Sequence, residues 1–414
     1  MESLLDQICD QYLNSRDFNG YSLYGADEAM RGAAASLVKE GLVEVISDKD
    51  YLNPHIRPWP SRRSREDQLQ DTTDSVNSRR AVCLYPSADA LKDRLDTQLY
   101  SDQPYRRRQA EGRGRLEVAY FRYDVLEAYR NDPRYSFSFD DFGAQTSISN
   151  ESFMDEEEHE EDKTSISHIG FAYDLSLFER DDASTPITRR VCAFLCDLGD
   201  LTPTHQQRWR TYEVPESEGL KPHPVWYGTQ MGHWPDGLVP FQRLAFELKS
   251  WDELHKTAFG VGLLRATEPP REFGWILRPS QHEFDAFIHQ LDKLLSENLC
   301  HEAFDKAGAP KLDDAGNQIG TLNRLDRLLG RTGIEEVARR EVLKPLRQVR
   351  AARQKPAHAL RANVTDKTFV RRQAELLQEV TTSLEILRRF WQRHPANTTW
   401  SAPDYVDNGK HYWL

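Results

Sequence analysis

A mixed α+β, multidomain fold follows from three features of the sequence. The chain has 414 residues, too many for one ordinary hydrophobic core. Strand-like patterns concentrate between about Ser78 and Pro270. From Pro279 onward only helical periods occur. The expected order is an N-terminal helix–strand segment over 1–52, a linker or arm over 53–77, a central α+β domain over 78–278 and a helical bundle over 279–414.

The first segment reads as a helix carrying Leu4, Leu5, Ile8, Tyr12 and Leu13, a turn at Asn19-Gly20, and a second helix carrying Ala29, Met30, Ala33, Leu37 and Val38. That helix stops at Gly41, and Leu42–Ile46 follows as a strand. The phrase Ser36-Leu37-Val38-Lys39-Glu40-Gly41-Leu42-Val43 resembles the junction between recognition helix and wing in winged helix-turn-helix domains. Arg31 and Lys39 share that helix with Asp27, Glu28 and Glu40, a balance that favours packing or protein contact over DNA phosphates.

Residues 53–74 are rich in Pro, Arg, Ser and Asp without an apolar period, hence the linker. Beyond it, the basic run Tyr105-Arg106-Arg107-Arg108 is expected as an exposed loop. Alternation at Tyr135–Phe139 and Ser165–Phe171, and the apolar run Val191–Cys196, predict strands, with a helix over Thr204–Tyr212. The acidic run 155–162 is expected as a solvated loop, and Trp226, Trp234 and Trp251 as core.

In the last third, Phe284, Phe287, Ile288, Leu291, Leu294, Leu295 and Leu299 form one apolar face. Ile334, Val337, Val342, Leu346 and Val349 form a second, after a capping box at Thr332 and Glu335. Val370, Gln373, Leu377, Val380, Leu384, Leu387 and Trp391 form a third. Between Thr321 and His394 the chain carries 17 Lys and Arg against 8 Asp and Glu, so a basic module sits in a chain of net charge −12.

Several functional classes find no support. No run approaches the roughly 18 apolar residues of a membrane span, and the start lacks a basic region before an apolar stretch, so a cytoplasmic protein is expected. Five cysteines without a Cys-x-x-Cys pair argue against a disulfide framework or zinc ribbon, and Cys192 and Cys196 are expected in a buried strand. There is no phosphate-cradling glycine loop and no Gly-x-Ser-x-Gly elbow. His205, His223, His233 and His255 lack the spacing of a helix-borne metal pair.

One motif carries chemistry: Arg353-Gln354-Lys355-Pro356-Ala357-His358. On a continuous helix five positions rotate about 500°, leaving the arginine and histidine about 140° apart. Pro356 predicts a break and a restart, which places His358 in the first turn of a new helix. There the helix dipole favours a neutral imidazole able to accept a 2′-hydroxyl proton, while a fixed guanidinium stabilises a phosphorane. Arg350, Lys355 and Arg361 are near enough in sequence to hold flanking phosphates.

The Arg-x-x-x-x-His spacing in a basic helical bundle resembles the signature of the HEPN superfamily, with Gln354 where Asn, Asp or His is commoner. Many of its members are metal-independent ribonucleases of bacterial defence and toxin systems. The resemblance implies a HEPN-like C-terminal bundle, Arg353 and His358 as catalytic residues, Gln354 beside them, RNA as partner, no metal or cofactor, and a homodimer sharing one cleft. The acidic N-terminal two-thirds would then sense or regulate, alone or with a companion protein. The rival reading is a non-catalytic winged-helix adaptor that dimerises through the bundle.

Overall fold

The computed structural model describes residues 3–15, 18–74, 81–92, 94–96, 98–132, 134–140, 142–148, 165–174, 189–215, 219–270, 273–354 and 362–410, and its fold is mixed α+β with a helical C-terminal region. The chain divides into two compact units, residues 1–136 with 145–169 and 191–216, and residues 137–144 with 170–190 and 217–414.

The first unit opens with helix Leu4–Asn14, whose Ser3 and Asp6 form a reciprocal capping box. Helix Glu28–Glu40 starts at Asp27, whose carboxylate accepts from the Met30 N–H, and stops at Gly41. Gly41 has φ +79°, a left-handed value that only glycine adopts cheaply. Strand Val43–Ser47 follows, as the sequence predicts. It forms an antiparallel sheet in which Val82–Pro86 is the middle strand, with Val45 opposite Leu84 on one side and Ser22 of Tyr21–Ser22 opposite Cys83 on the other. The sheet is thus completed well past the expected boundary at residue 52. Ile8, Ala34, Val38, Val45 and Leu84 fill the core beneath it.

The stretch expected as a structureless arm contains helix Arg65–Asp74. Its Gln68 accepts from the Val45 N–H, satisfying an edge donor of the strand. Arg57, 3% exposed, bonds Glu44, the Pro86 and Gly112 carbonyls and the Tyr12 hydroxyl, so the arm is fastened to the sheet.

Also in this unit, strand Val118–Phe121 pairs antiparallel with residues 191–194 of strand Arg189–Phe194 and with Glu213–Val214. Cys192 is buried in its strand as expected, but Cys196 is not in a strand: it belongs to the short helix Leu195–Gly199. The basic run at 105–108 is likewise not a loop. Pro104 starts a helix to Ala110 that buries Tyr105, and Arg108 pairs bidentately with Glu213.

In the second unit, strand Leu220–Pro222 runs antiparallel to Ala172–Asp174. Gly170 lies against Trp226 so closely that an added Cβ would fall 2.4 Å from the indole. Trp226 and Trp251 are core, whereas Trp234 is 77% exposed. Helices Pro240–Phe259, Gln281–Leu294, Thr321–Arg331, Glu336–Gln354 and Thr368–Gln392 follow. All seven residues read as the apolar face of the last are buried. A large apolar side chain contributes about 1.5–3 kcal/mol when so covered.

Two details of helix Glu336–Gln354 differ from the sequence reading. Val337 is 72% exposed, and Leu343 joins Leu346 and Val349 on the buried face instead. Thr332 forms no capping box: it is the C-cap of the preceding helix, where its hydroxyl donates to the Leu329 carbonyl, and the next helix begins only at Glu336. Pro345 lies inside the helix and withholds a backbone donor at a cost of about 3 kcal/mol, which the packing on either side outweighs. Leu299 falls beyond helix Gln281–Leu294, in an isolated bridge to Leu264. The acidic run 155–162 lies outside the described residues.

Candidate functional site

Helix Glu336–Gln354 presents arginines at 347, 350 and 353, three positions apart and therefore neighbours along one face. The chain around them supplies carboxylates. Asp326, on helix Thr321–Arg331, accepts from Arg339 Nε at 2.8 Å and Arg347 Nη2 at 2.6 Å. Although burial opposes it, these two arginines hold the Asp326 carboxyl below its ordinary range.

Asp292 is fully buried on helix Gln281–Leu294. Its Oδ2 accepts from Arg350 Nη1 at 2.7 Å and Arg353 Nη1 at 2.8 Å, and its Oδ1 accepts from the Ser296 hydroxyl. Glu297 accepts from both arginines too, and Arg353 is its closer partner. Hydrogen bonding by Arg353 keeps the Glu297 carboxyl below its ordinary range, and Glu297 and Asp292 in return raise the Arg353 guanidinium, which stays charged. Arg353 Nε donates to His289 Nδ1 at 3.1 Å.

Both arginines use Nη1 for the carboxylates, and in each the Nη2 nitrogen makes no hydrogen bond to a described residue. Their side chains remain 39% and 26% exposed, so the carboxylates hold both arginines without closing them off from solvent. Electrostatically, two carboxylates cancel two guanidinium charges. The site is therefore less positive than the residue count of the segment implies.

A cleft of about 310 Å³ adjoins this cluster, lined by Arg347, Arg350 and Gln354 on one side and by Gly320, Thr321 and Asn323 on the other. Gly320 caps helix Thr321–Arg331 without a side-chain hydrogen bond, so the first N–H groups of that helix have no side-chain acceptor. An uncapped N-terminus beside two arginines is chemically suited to an anion.

Of the residues singled out in the sequence, Arg350, Arg353 and Gln354 are brought together at the end of one helix. Lys355, His358 and Arg361, with the expected restart at Pro356, lie outside the described residues. His289, Asp292 and Glu297 were not singled out. The spacing of His289 and Asp292 places them on one helix face, but nothing in the sequence pairs that face with residue 353.

The four scattered histidines serve elsewhere. His205 bonds Tyr129 at 2.7 Å, His223 accepts from the Val225 N–H, His255 bonds the Val261 carbonyl, and His233 is exposed. Among the described residues, no three His, Cys, Asp or Glu side chains converge as metal ligands. Nor is any described helix long and apolar enough to cross a membrane. Comparison of the chain with protein-family models, with curated proteins and with solved structures finds no match.

Proposed function

We propose that the protein is a metal-independent endoribonuclease whose HEPN-like C-terminal bundle cuts RNA, acting as a homodimer in a bacterial defence or toxin setting. The observation that carries this reading is the pair Arg350 and Arg353, clamped through Nη1 by Asp292 and Glu297 while each Nη2 makes no hydrogen bond to a described residue, with Arg350 and Gln354 lining a cleft at a helix N-terminus. A guanidinium held this way keeps its position while it meets a phosphate, which limits the entropy lost on binding.

In this mechanism His358 takes the 2′-hydroxyl proton, and the 2′-oxygen attacks the adjacent phosphorus. Arg353 neutralises the charge that builds on the equatorial oxygens. The bond to the 5′-oxygen then breaks and that oxygen receives a proton, leaving a 2′,3′-cyclic phosphate and a 5′-hydroxyl. Arg350, Gln354, Lys355 and Arg361 hold the flanking phosphates. The winged-helix-like N-terminal region and the rest of the first unit serve for sensing or restraint, with or without a companion protein.

A second reading has one observation in its favour: the Asp292 and Glu297 partners already neutralise both arginines, as expected of a structural ion-pair network in a non-catalytic adaptor. The two separate by assay. Purified protein and its Arg353→Ala and His358→Ala variants are incubated with RNA in EDTA. Cleavage giving cyclic phosphate ends, lost in both folded variants, supports the nuclease; equal activity in all three sinks it, and RNA binding without cutting selects the adaptor.

A further inference from the structure

A second cavity, of about 310 Å³, lies within the first unit and belongs to none of the chemistry above. Helix Leu4–Asn14 lines it with Tyr12, helix Pro104–Ala110 with Arg106 and Gln109, and the turn after helix Leu195–Gly199 with Asp200. Asn19 and Arg115 complete the polar lining.

The walls are built rather than incidental. Tyr12 donates from its hydroxyl to the Gln109 carbonyl at 2.6 Å, fixing one helix to the other. Gln206, fully buried, donates to the Gly199 and Leu201 carbonyls and accepts from the Tyr105 N–H, locking the third wall to the second. Gly199 packs closely against the end of the Gln109 side chain, and a Cβ there would stand 2.8 Å from its oxygen.

Asn19 points to a ligand. It is 5% exposed, and its carboxamide makes no hydrogen bond to a described residue, with Oδ1 wholly buried and unpartnered. The Gln109 carboxamide nitrogen, which belongs to another lining residue of the same cavity, is in the same condition. Buried amides without partners are costly, and two lining one cavity are accounted for by something that fills it. Small reorientations of the two carboxamides would offer it both donors and acceptors.

We propose that this cavity binds a nucleoside monophosphate. Carboxamides of Asn and Gln match the donor–acceptor edge of a base. Arg106 and Arg115 supply the cationic side for a phosphate, and Tyr12 and Tyr100 supply aromatic surface. The volume is at the small end of the roughly 300–1,000 Å³ typical of ligand pockets, which favours a mononucleotide over a longer chain. This site is independent of the nuclease reading, since it shares no residue with the C-terminal cleft.

The test is calorimetric titration of the full chain with AMP, GMP, CMP, UMP and, separately, inorganic phosphate. At least one nucleotide binds saturably, and phosphate alone binds at least about ten-fold more weakly. Arg106→Ala, at an exposed position that leaves folding intact, weakens the nucleotide about ten-fold, the loss expected for one charge-assisted hydrogen bond. Asn19→Asp, of nearly the same shape, alters the ranking of the four bases. No binding by any nucleotide at millimolar concentration overturns the proposal, as does equal binding of phosphate alone or an affinity unchanged in both variants.

Discussion

Arg353 donates to His289 Nδ1 at 3.1 Å, and this bond exists only while Nδ1 is unprotonated. The imidazole proton of His289 therefore rests on Nε2. Nitrogen-15 spectra of histidine-labelled protein at neutral pH should show His289 as the Nε2–H tautomer, relaxing toward a mixture in Arg353→Ala. A protonated Nδ1 in the wild type would show that the two side chains do not meet in solution.

Glu297 offers a way to loosen the arginine clamp. Because Arg353 holds its carboxyl below the ordinary 4.5, the stabilisation is complete above that value and is lost as pH falls through the lower folded value. Glu297 is more than a third exposed, so after solvent screening Glu297→Gln costs at most about 1 kcal/mol at neutral pH. The difference should vanish in acid. If the nuclease reading holds, Arg353, still held by Asp292 but relieved of one opposing carboxylate, binds RNA more tightly in this variant, with a salt slope steeper by about 1. Unchanged RNA affinity would count against Arg353 as a phosphate ligand.

His223 makes stability sensitive to pH above the carboxylate range. Burial holds its imidazole at about 3, against an ordinary 6.5, while it stacks on Phe142 and caps helix Pro224–Gln230. The folded state therefore contains neutral His223. Its contribution is complete above pH 6.5 and declines as pH falls toward 3, by up to about 1.4 kcal/mol per pH unit. Denaturant titrations between pH 7 and 5 should show this slope in the wild type and a shallower one in His223→Gln. His255, lowered by burial as well, contributes a dependence of the same sign that remains in the variant.

The ion pair between Arg388 and Glu247 is wholly buried, at 2.7 Å. Arg388→Met strands the carboxylate and should destabilise the second unit by about 3–5 kcal/mol in urea. Adding Glu247→Leu should recover much of that loss. A double variant no better than the single one would show that packing around Arg388, rather than charge, dominates.

Legibility from sequence followed the range of each interaction. Helices Leu4–Asn14 and Glu28–Glu40 were readable because their apolar spacing, caps and Gly41 stop lie within a dozen residues. Helix Pro104–Ala110 was missed because three arginines mask a single buried face whose anchor, Glu213, is more than a hundred residues away. The site divided in the same way. Arg350, Arg353 and Gln354 stood out from local spacing, while Asp292 and Glu297 became partners only through packing of one helix on another. Val337 was misplaced because its residue type fits the period while its position faces solvent.

The middle strand of the N-terminal sheet, Val82–Pro86, is the last of the three in the chain. A fragment ending at residue 52 would retain two outer strands and lose the one that joins them. Anyone excising or transplanting this region must therefore carry the chain past Pro86.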